Sequence, residues 1–82
     1  MNKRHLQYFA EVYRCQNIQN ASEKLFVSRQ GVSKVIRAME TELGQKLFIR
    51  TSDGVSPTDF AVAMYPHVLK LIDEYHYIEG MN

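Results

Sequence analysis

Basic, amide and hydroxyl side chains recur at helical spacing between residues 29 and 37. On a helix of 3.6 residues per turn, four of these side chains share an arc of about 100°. They are Gln30, Ser33, Lys34 and Arg37, and Arg29 flanks the arc. Arginine and lysine donate to guanine, glutamine pairs with adenine and serine donates to phosphate, so such a face can read double-stranded DNA. The alternative is a solvated helix face, and the surrounding elements decide between the two.

Three helices are predicted in the first half of the chain, each begun by a residue whose side chain can cap a helix N-terminus. The predicted N-caps are Asn2, Asn17 and Ser28. The predicted ends lie near Cys15, Leu25 and Leu43, the last followed by Gly44 as a stop signal. Ala21 and Ser22 are small enough for the second helix to cross the third closely, and the apolar turn Phe26-Val27 joins them. This order predicts a helix-turn-helix whose second member enters the major groove.

A hairpin and a long helix are predicted to follow. Leu47–Arg50 and Val55–Ser56 are predicted strands, and Asp53-Gly54 is a typical hairpin turn. Thr58 is the predicted N-cap of a fourth helix that reaches Glu79, with a distortion but no break at Pro66. The predicted fold class is mainly α: a winged helix-turn-helix of three helices and a two-stranded wing over residues 1–57, then a linker and dimerisation helix over residues 58–80.

Further candidate DNA contacts flank the third helix. Arg50, Thr51 and Ser52 lie at the base and tip of the hairpin, where winged proteins touch the backbone or the minor groove. An ordinary exposed turn is the alternative for these three. Asn17 and Asn20 begin the second helix and can offer amides to phosphate, although capping explains Asn17 equally well. Ser28, at the start of the third helix, completes the predicted DNA-contacting set.

The fourth helix carries more apolar residues than a small domain can cover. Their spacing predicts an interface with the same helix of a second subunit, which makes the protein a homodimer. The predicted interface residues are Phe60, Met64, Val68, Leu71, Ile72, Tyr75 and Ile78. Burial of this face within one subunit is the alternative.

Composition excludes several classes of protein. Residues 1–50 carry nine Lys or Arg and four Asp or Glu, whereas residues 51–82 carry one and five, so the positive half suits a polyanion. No apolar run approaches the ~18 residues that a membrane span needs, and no signal peptide is evident. The single cysteine, Cys15, cannot form an internal disulfide, so we expect a cytoplasmic protein. The histidines show no metal-ligand spacing and no catalytic arrangement occurs, so we expect no enzyme, metal or cofactor.

Several stretches together resemble the opening of LysR-type transcriptional regulators. They are residues 2–9, 21–25, 27–28, Ser33, Ile36, 39–40, 42–44, 47–51, Thr58 and Pro66. The resemblance implies a homodimeric bacterial regulator that reads an inverted repeat in double-stranded DNA. It also implies a further C-terminal effector-binding domain of two α/β lobes, outside these residues, as the only place for a small-molecule effector.

The sequence departs from the family pattern at the positions expected to touch bases. Arg29-Gln30 stands where members commonly have Gln-Pro, so the site read is expected to differ from the usual one. A function of another class is also considered: a protein-interaction module that pairs with other regulators through the long helix. The basic face of the third helix favours DNA binding over this alternative.

Overall fold

Four side-chain caps begin the four helices at the predicted positions. The side-chain oxygens of Asn2, Asn17, Ser28 and Thr58 each accept the backbone N–H three residues later, at 2.8–3.2 Å. Each cap satisfies one of the N–H groups that a helix N-terminus leaves without an intrahelical partner. All four predicted N-caps are therefore confirmed.

The computed structural model describes residues 1–81. Its elements are α1 (Lys3–Cys15), α2 (Ile18–Leu25), α3 (Arg29–Leu43), β1 (Phe48–Thr51), β2 (Gly54–Pro57) and α4 (Asp59–Glu79). The two strands form an antiparallel wing in which Phe48 pairs with Pro57 and Thr51 with Gly54. The predicted winged helix-turn-helix with an appended helix is confirmed, and α4 runs through Pro66 without a break. None of the helices formed by the described residues has the length and hydropathy needed to cross a bilayer.

The first strand begins one residue later than predicted. The carbonyl of Leu47 still accepts the N–H of Thr58, its neighbour in the hairpin register, at 3.0 Å, but its own N–H donates to the Glu40 carboxylate at 2.7 Å. Leu47 is fully buried, so it anchors the start of the wing in the core. The second strand is longer than predicted at both ends and finishes at Pro57, which has no N–H to donate.

The core lies where α1, α2 and α3 meet the first half of α4. The largest fully buried side chains are Phe9, Val12, Val32, Met39, Leu47 and Val68. Ala21 and Ser22, the small residues of α2, are both buried. The helix-turn-helix is thus packed around side chains from every helix.

An aromatic stack joins α1 to α4. The rings of Tyr13 and Tyr65 lie 3.9 Å apart and nearly parallel, and the Phe9 ring lies 6.5 Å from that of Tyr65. Arg14 Nη1 donates to the Tyr65 hydroxyl at 3.4 Å. Burial lowers the pKa of Arg14, but its contacts with Tyr65 and Glu11 outweigh burial and raise the pKa above its ordinary value. These contacts fix the direction of α4 relative to the domain.

The turn between α1 and α2 leaves no room for a side chain at Gly54. A Cβ added there would lie 2.3 Å from the Gln16 carbonyl oxygen, and the φ of Gly54 is +155°. The neighbouring Val55 N–H donates to the same oxygen at 3.0 Å. The close approach ties β2 to the rest of the domain.

We expect Gly54→Ala to lower the free energy of unfolding by about 3 kcal/mol, because it combines an unfavourable φ with a clash against backbone. Gly44→Ala is the matched control. Its φ is +67° but an added Cβ meets nothing within 4 Å, so its cost should be about 1 kcal/mol. Urea unfolding of both variants measures the difference, and equal losses would contradict the close approach at Gln16.

Candidate nucleic-acid interface

The outer surface of α3 presents the basic and amide side chains expected from its sequence. Arg29, Gln30, Lys34 and Arg37 are exposed, and Ser33 is half-buried. Val32, Ile36 and Met39 occupy the opposite, buried side of the helix. Ser28 begins the helix, where its Oγ accepts the Gly31 N–H at 3.0 Å. The helix therefore separates an apolar inner face from a polar outer one.

A groove of about 380 Å³ runs between α3 and the wing, and its walls bring three predicted residues together. Ser33 and Arg37 line it from α3, and Arg50 lines it from β1. A smaller depression beside the groove is lined by Asn17, Arg29, Ser33 and Arg50. Side chains from three elements thus meet at one surface.

Other predicted residues lie apart from this groove. Asn20 lines a different depression, beside Glu23 and Lys24. Thr51 and Ser52 are exposed at the far end of the wing. The Asn17 side chain caps α2 by accepting the Asn20 N–H at 2.8 Å, so the capping interpretation of Asn17 holds.

Two charged side chains that line the groove, Glu40 and Lys46, were not predicted from the sequence. Glu40 accepts the N–H groups of Leu47 and Phe48, and its Oε1 lies 4.0 Å from Lys46 Nζ. Glu40 lies one turn beyond Arg37 on α3, so helical spacing alone could have placed it at this edge. Lys46 precedes the strand and could have been counted with Arg50.

The cations of α3 and the wing are not neutralised within residues 1–81. No salt bridge there involves Arg29, Lys34, Arg37 or Arg50. By contrast, Lys3 contacts Glu79 at 2.6 Å, and the N-terminal amine contacts Glu42 at 2.7 Å. Positive charge is therefore concentrated where α3 and the wing meet. A surface with an excess of positive charge attracts polyanions.

The exposed apolar stripe of α4 is narrower than the predicted interface. Phe60, Leu71, Tyr75 and Ile78 are 37–62% exposed, and Met64 lies half-buried on the same side. The prediction for Val68 was wrong: it is 2% exposed and packs in the subunit's own core. Met64 and Ile72 are both half-buried and both pack against that core, and Ile72 stays at the edge of the predicted interface. At 100° per residue, Val68 and Ile72 point toward α1 while the stripe lies beside them.

No group of three or more His, Cys, Asp or Glu side chains within residues 1–81 is arranged to hold a metal ion. Cys15 is a free, half-buried thiol with Glu11 Oε2 3.8 Å from its Sγ.

Comparison with known proteins identifies relatives across nearly the whole chain. The family model described as bacterial regulatory helix-turn-helix protein, lysR family, matches residues 3–62. The nitrogen assimilation regulatory protein nac of Escherichia coli strain K12 is 35% identical over 72 residues, 88% of this chain and 24% of that protein. The regulator BenM of Acinetobacter baylyi is 32% identical over 82 residues, 100% of this chain and 27% of that protein.

Two solved structures share the fold closely. The crystal structure of BenM DBD with catB site 1 DNA has a TM-score of 0.92 and 32% identity, and the match covers 99% of this chain and 91% of that one. The CbnR DBD–DNA complex has a TM-score of 0.91 and 25% identity over 96% of this chain and 91% of that one. This chain spans about a quarter of the length of the curated relatives that it matches.

Proposed function

This chain belongs to the LysR family of bacterial regulatory helix-turn-helix proteins, and we propose that it binds an inverted-repeat operator in double-stranded DNA as a homodimer. Residues 1–57 are the DNA-reading unit of this proposal, and residues 58–80 are its linker and dimerisation helix. We also propose that the DNA-reading unit is cytoplasmic. Any response to a small-molecule effector is assigned to residues outside this chain.

The observation that carries the proposal is the unneutralised cationic surface formed by α3 and the wing. Within residues 1–81, its arginines and its lysine on α3 have no salt-bridge partner, although residues 1–50 carry four carboxylates. Burial of apolar residues on the inner side of α3 keeps this surface outward. The relatives BenM and CbnR have related domains in complexes with DNA, which supports the same partner here.

The residues of this surface have separate roles in the proposal. Arg29, Gln30 and Lys34 lie in the first turns of α3, where a recognition helix reaches base edges. Arg37 and Arg50 lie further along the groove and act as charges on phosphate. Six polar side chains complete the proposed contacts with the DNA backbone: Asn17, Asn20, Ser28, Ser33, Thr51 and Ser52.

Dimerisation follows from the stripe on α4 formed by Phe60, Met64, Leu71, Tyr75 and Ile78. Its distal residues are exposed to water within a single subunit, where a continuous apolar surface is unfavourable. Pairing with a second copy buries the stripe with two-fold symmetry. That symmetry places two α3 helices on successive major grooves about 34–36 Å apart, which suits an inverted repeat.

The same stripe favours one alternative function, pairing with the α4 helix of other regulators without DNA binding. Selection of sites from a random DNA library by the purified chain, followed by fluorescence anisotropy on the recovered site, distinguishes the two. We expect one inverted repeat to be enriched and bound more tightly than random duplex. If the chain binds neither DNA but forms a stable complex with the α4 helix of another regulator, the alternative is favoured.

Base reading gives the first prediction for this surface. We expect Gln30→Ala or Arg29→Ala to weaken binding to the recovered site by about 1–3 kcal/mol and to weaken binding to random DNA less. Gln45→Ala, an exposed amide beyond the end of α3, is the control and should change neither affinity. Equal losses on the two DNAs would show that the residue contacts only the backbone.

Phosphate contact predicts a different signature for Arg37. We expect Arg37→Ala to weaken binding to all sequences alike and to reduce the slope of log affinity against log salt by about 1. Lys70→Ala removes an exposed cation from α4 and should leave the slope unchanged. A changed sequence preference with an unchanged slope would exclude this role for Arg37.

The dimer is tested by charges placed on the stripe. We expect Leu71→Asp or Ile78→Asp to shift the chain to monomer in sedimentation and to weaken DNA binding without unfolding residues 1–57, since each buried side chain contributes roughly 1.5–3 kcal/mol. Tyr77→Asp is the matched control, because Tyr77 is 69% exposed and lies about 100° around α4 from Ile78. An unmutated chain that sediments as a monomer at tens of micromolar would refute the dimer.

A further inference from the structure

The Glu40 carboxylate connects the recognition helix α3 directly to the start of the wing. Its Oε2 accepts the Leu47 N–H at 2.7 Å and the Phe48 N–H at 3.4 Å. Its side chain is only 13% exposed, although it lines the groove beside Arg37 and Lys46. A carboxylate at a surface proposed to meet phosphate is unfavourable unless it serves another purpose, and here its oxygens are occupied by backbone donors.

The segment that Glu40 holds is fixed on its other side by Thr58, whose Oγ1 donates to the Lys46 carbonyl at 2.7 Å, but Glu40 is the acceptor for the Leu47 N–H. Between α3 and β1 the chain forms no regular element, and the Leu47 N–H lies outside the strand ladder. A part-buried N–H without an acceptor is costly, so the carboxylate stabilises this one conformation of the segment. Leu47 itself is fully buried, and its carbonyl accepts from Thr58. The position of β1 is thereby defined at its first residue.

Arg50 follows two residues after Phe48 on the same strand. Along a strand this spacing is about 7 Å, and the two side chains share a face. Because Phe48 is held to α3 through Glu40, the distance from Arg50 to Arg37 across the groove is also set. The other strand is attached elsewhere, through the Val55 N–H to the Gln16 carbonyl at 3.0 Å.

We propose that Glu40 is a positioning residue that aligns Arg50 of the wing with the base-reading face of α3, so that wing and helix bind DNA as one rigid surface. This inference rests on the proposed DNA binding. It gives Glu40 no contact with DNA. The effect of Glu40 passes through hydrogen bonds to backbone, so it depends on the reach of the side chain more than on its charge.

Two substitutions at Glu40 distinguish the effect of side-chain length on DNA binding from the effect of charge. Glu40→Gln keeps the length and an acceptor oxygen but loses the charge, whereas Glu40→Asp keeps the charge but is one methylene shorter. We expect Glu40→Gln to bind the recovered site within about twofold of the unmutated chain and Glu40→Asp to bind about tenfold more weakly. Tighter binding by Glu40→Gln with unchanged binding by Glu40→Asp would show a simple charge effect on DNA and would overturn positioning.

A double-mutant cycle with Arg50 tests whether the effect passes through the wing. In the Glu40→Asp background, we expect Arg50→Ala to cost several-fold less affinity than it does alone, because the wing is already misplaced. Gln30→Ala should cost the same in both backgrounds. Thermal unfolding of Glu40→Asp and Glu40→Gln shows whether each variant is folded. If Glu40→Asp is unfolded, a change of more than about twofold in binding by folded Glu40→Gln still contradicts positioning by side-chain length.

The outcomes for the two proposals are distinct. If the unmutated chain binds no DNA, both the proposed function and the role of Glu40 fail. If it binds its site but Glu40 and Arg50 act independently, the proposed function stands and the positioning role is overturned. If Glu40→Asp weakens the contribution of Gln30 as much as that of Arg50, Glu40 is a general structural residue and not a positioning one.

Discussion

The wing depends on acceptors that lie outside its own two strands. A two-stranded hairpin is marginally stable at best in water, so something else must hold it against the helices. One strand donates to the Gln16 carbonyl at the turn after α1, and the other is held by the Glu40 carboxylate of α3. Gly54 is required at the first attachment because no side chain fits beside Gln16. These two attachments determine where Arg50 lies, and hence the shape of the groove.

Charge is also distributed unevenly along the chain. The net charge of +1 hides an excess of cations in residues 1–50 and of carboxylates in the remainder. Within residues 1–81, several acidic groups are used to hold elements together, as when Glu79 meets Lys3 and Glu42 meets the N-terminal amine. Exposed pairs of this kind stabilise a fold only slightly. Their consequence here is that Glu42 of α3 and Glu79 of α4 meet cations at the N-terminus, while Arg29, Lys34 and Arg37 of α3 have no salt bridge among residues 1–81.

Local signals in the sequence were sufficient to predict the helices, whereas contacts between residues far apart in the chain could not be predicted. A cap such as Ser28 is recognisable because the group that it satisfies lies three residues away. Glu40 meets residues seven and eight positions later, across an irregular segment whose path the sequence does not reveal. Val68 was assigned to the wrong face because a broad apolar helix does not indicate which part of its circumference meets the core. The positive φ of Gln16 and Phe26 was likewise unpredictable, since neither is a residue type that favours it.

The two faces of α4 have different consequences for a dimer. The inner face is fixed to α1 by the Tyr13–Tyr65 stack and by Val68, so α4 cannot rotate about its axis without exposing the core. The direction of the exposed stripe is therefore set by packing within one subunit, before any partner is met. In the proposed dimer, the stripe determines how two subunits meet, and the inner face determines how far each α3 lies from the two-fold axis. A substitution in the aromatic stack would then change the spacing of the two half-sites while leaving every side chain at the dimer interface and on the reading face of α3 unaltered.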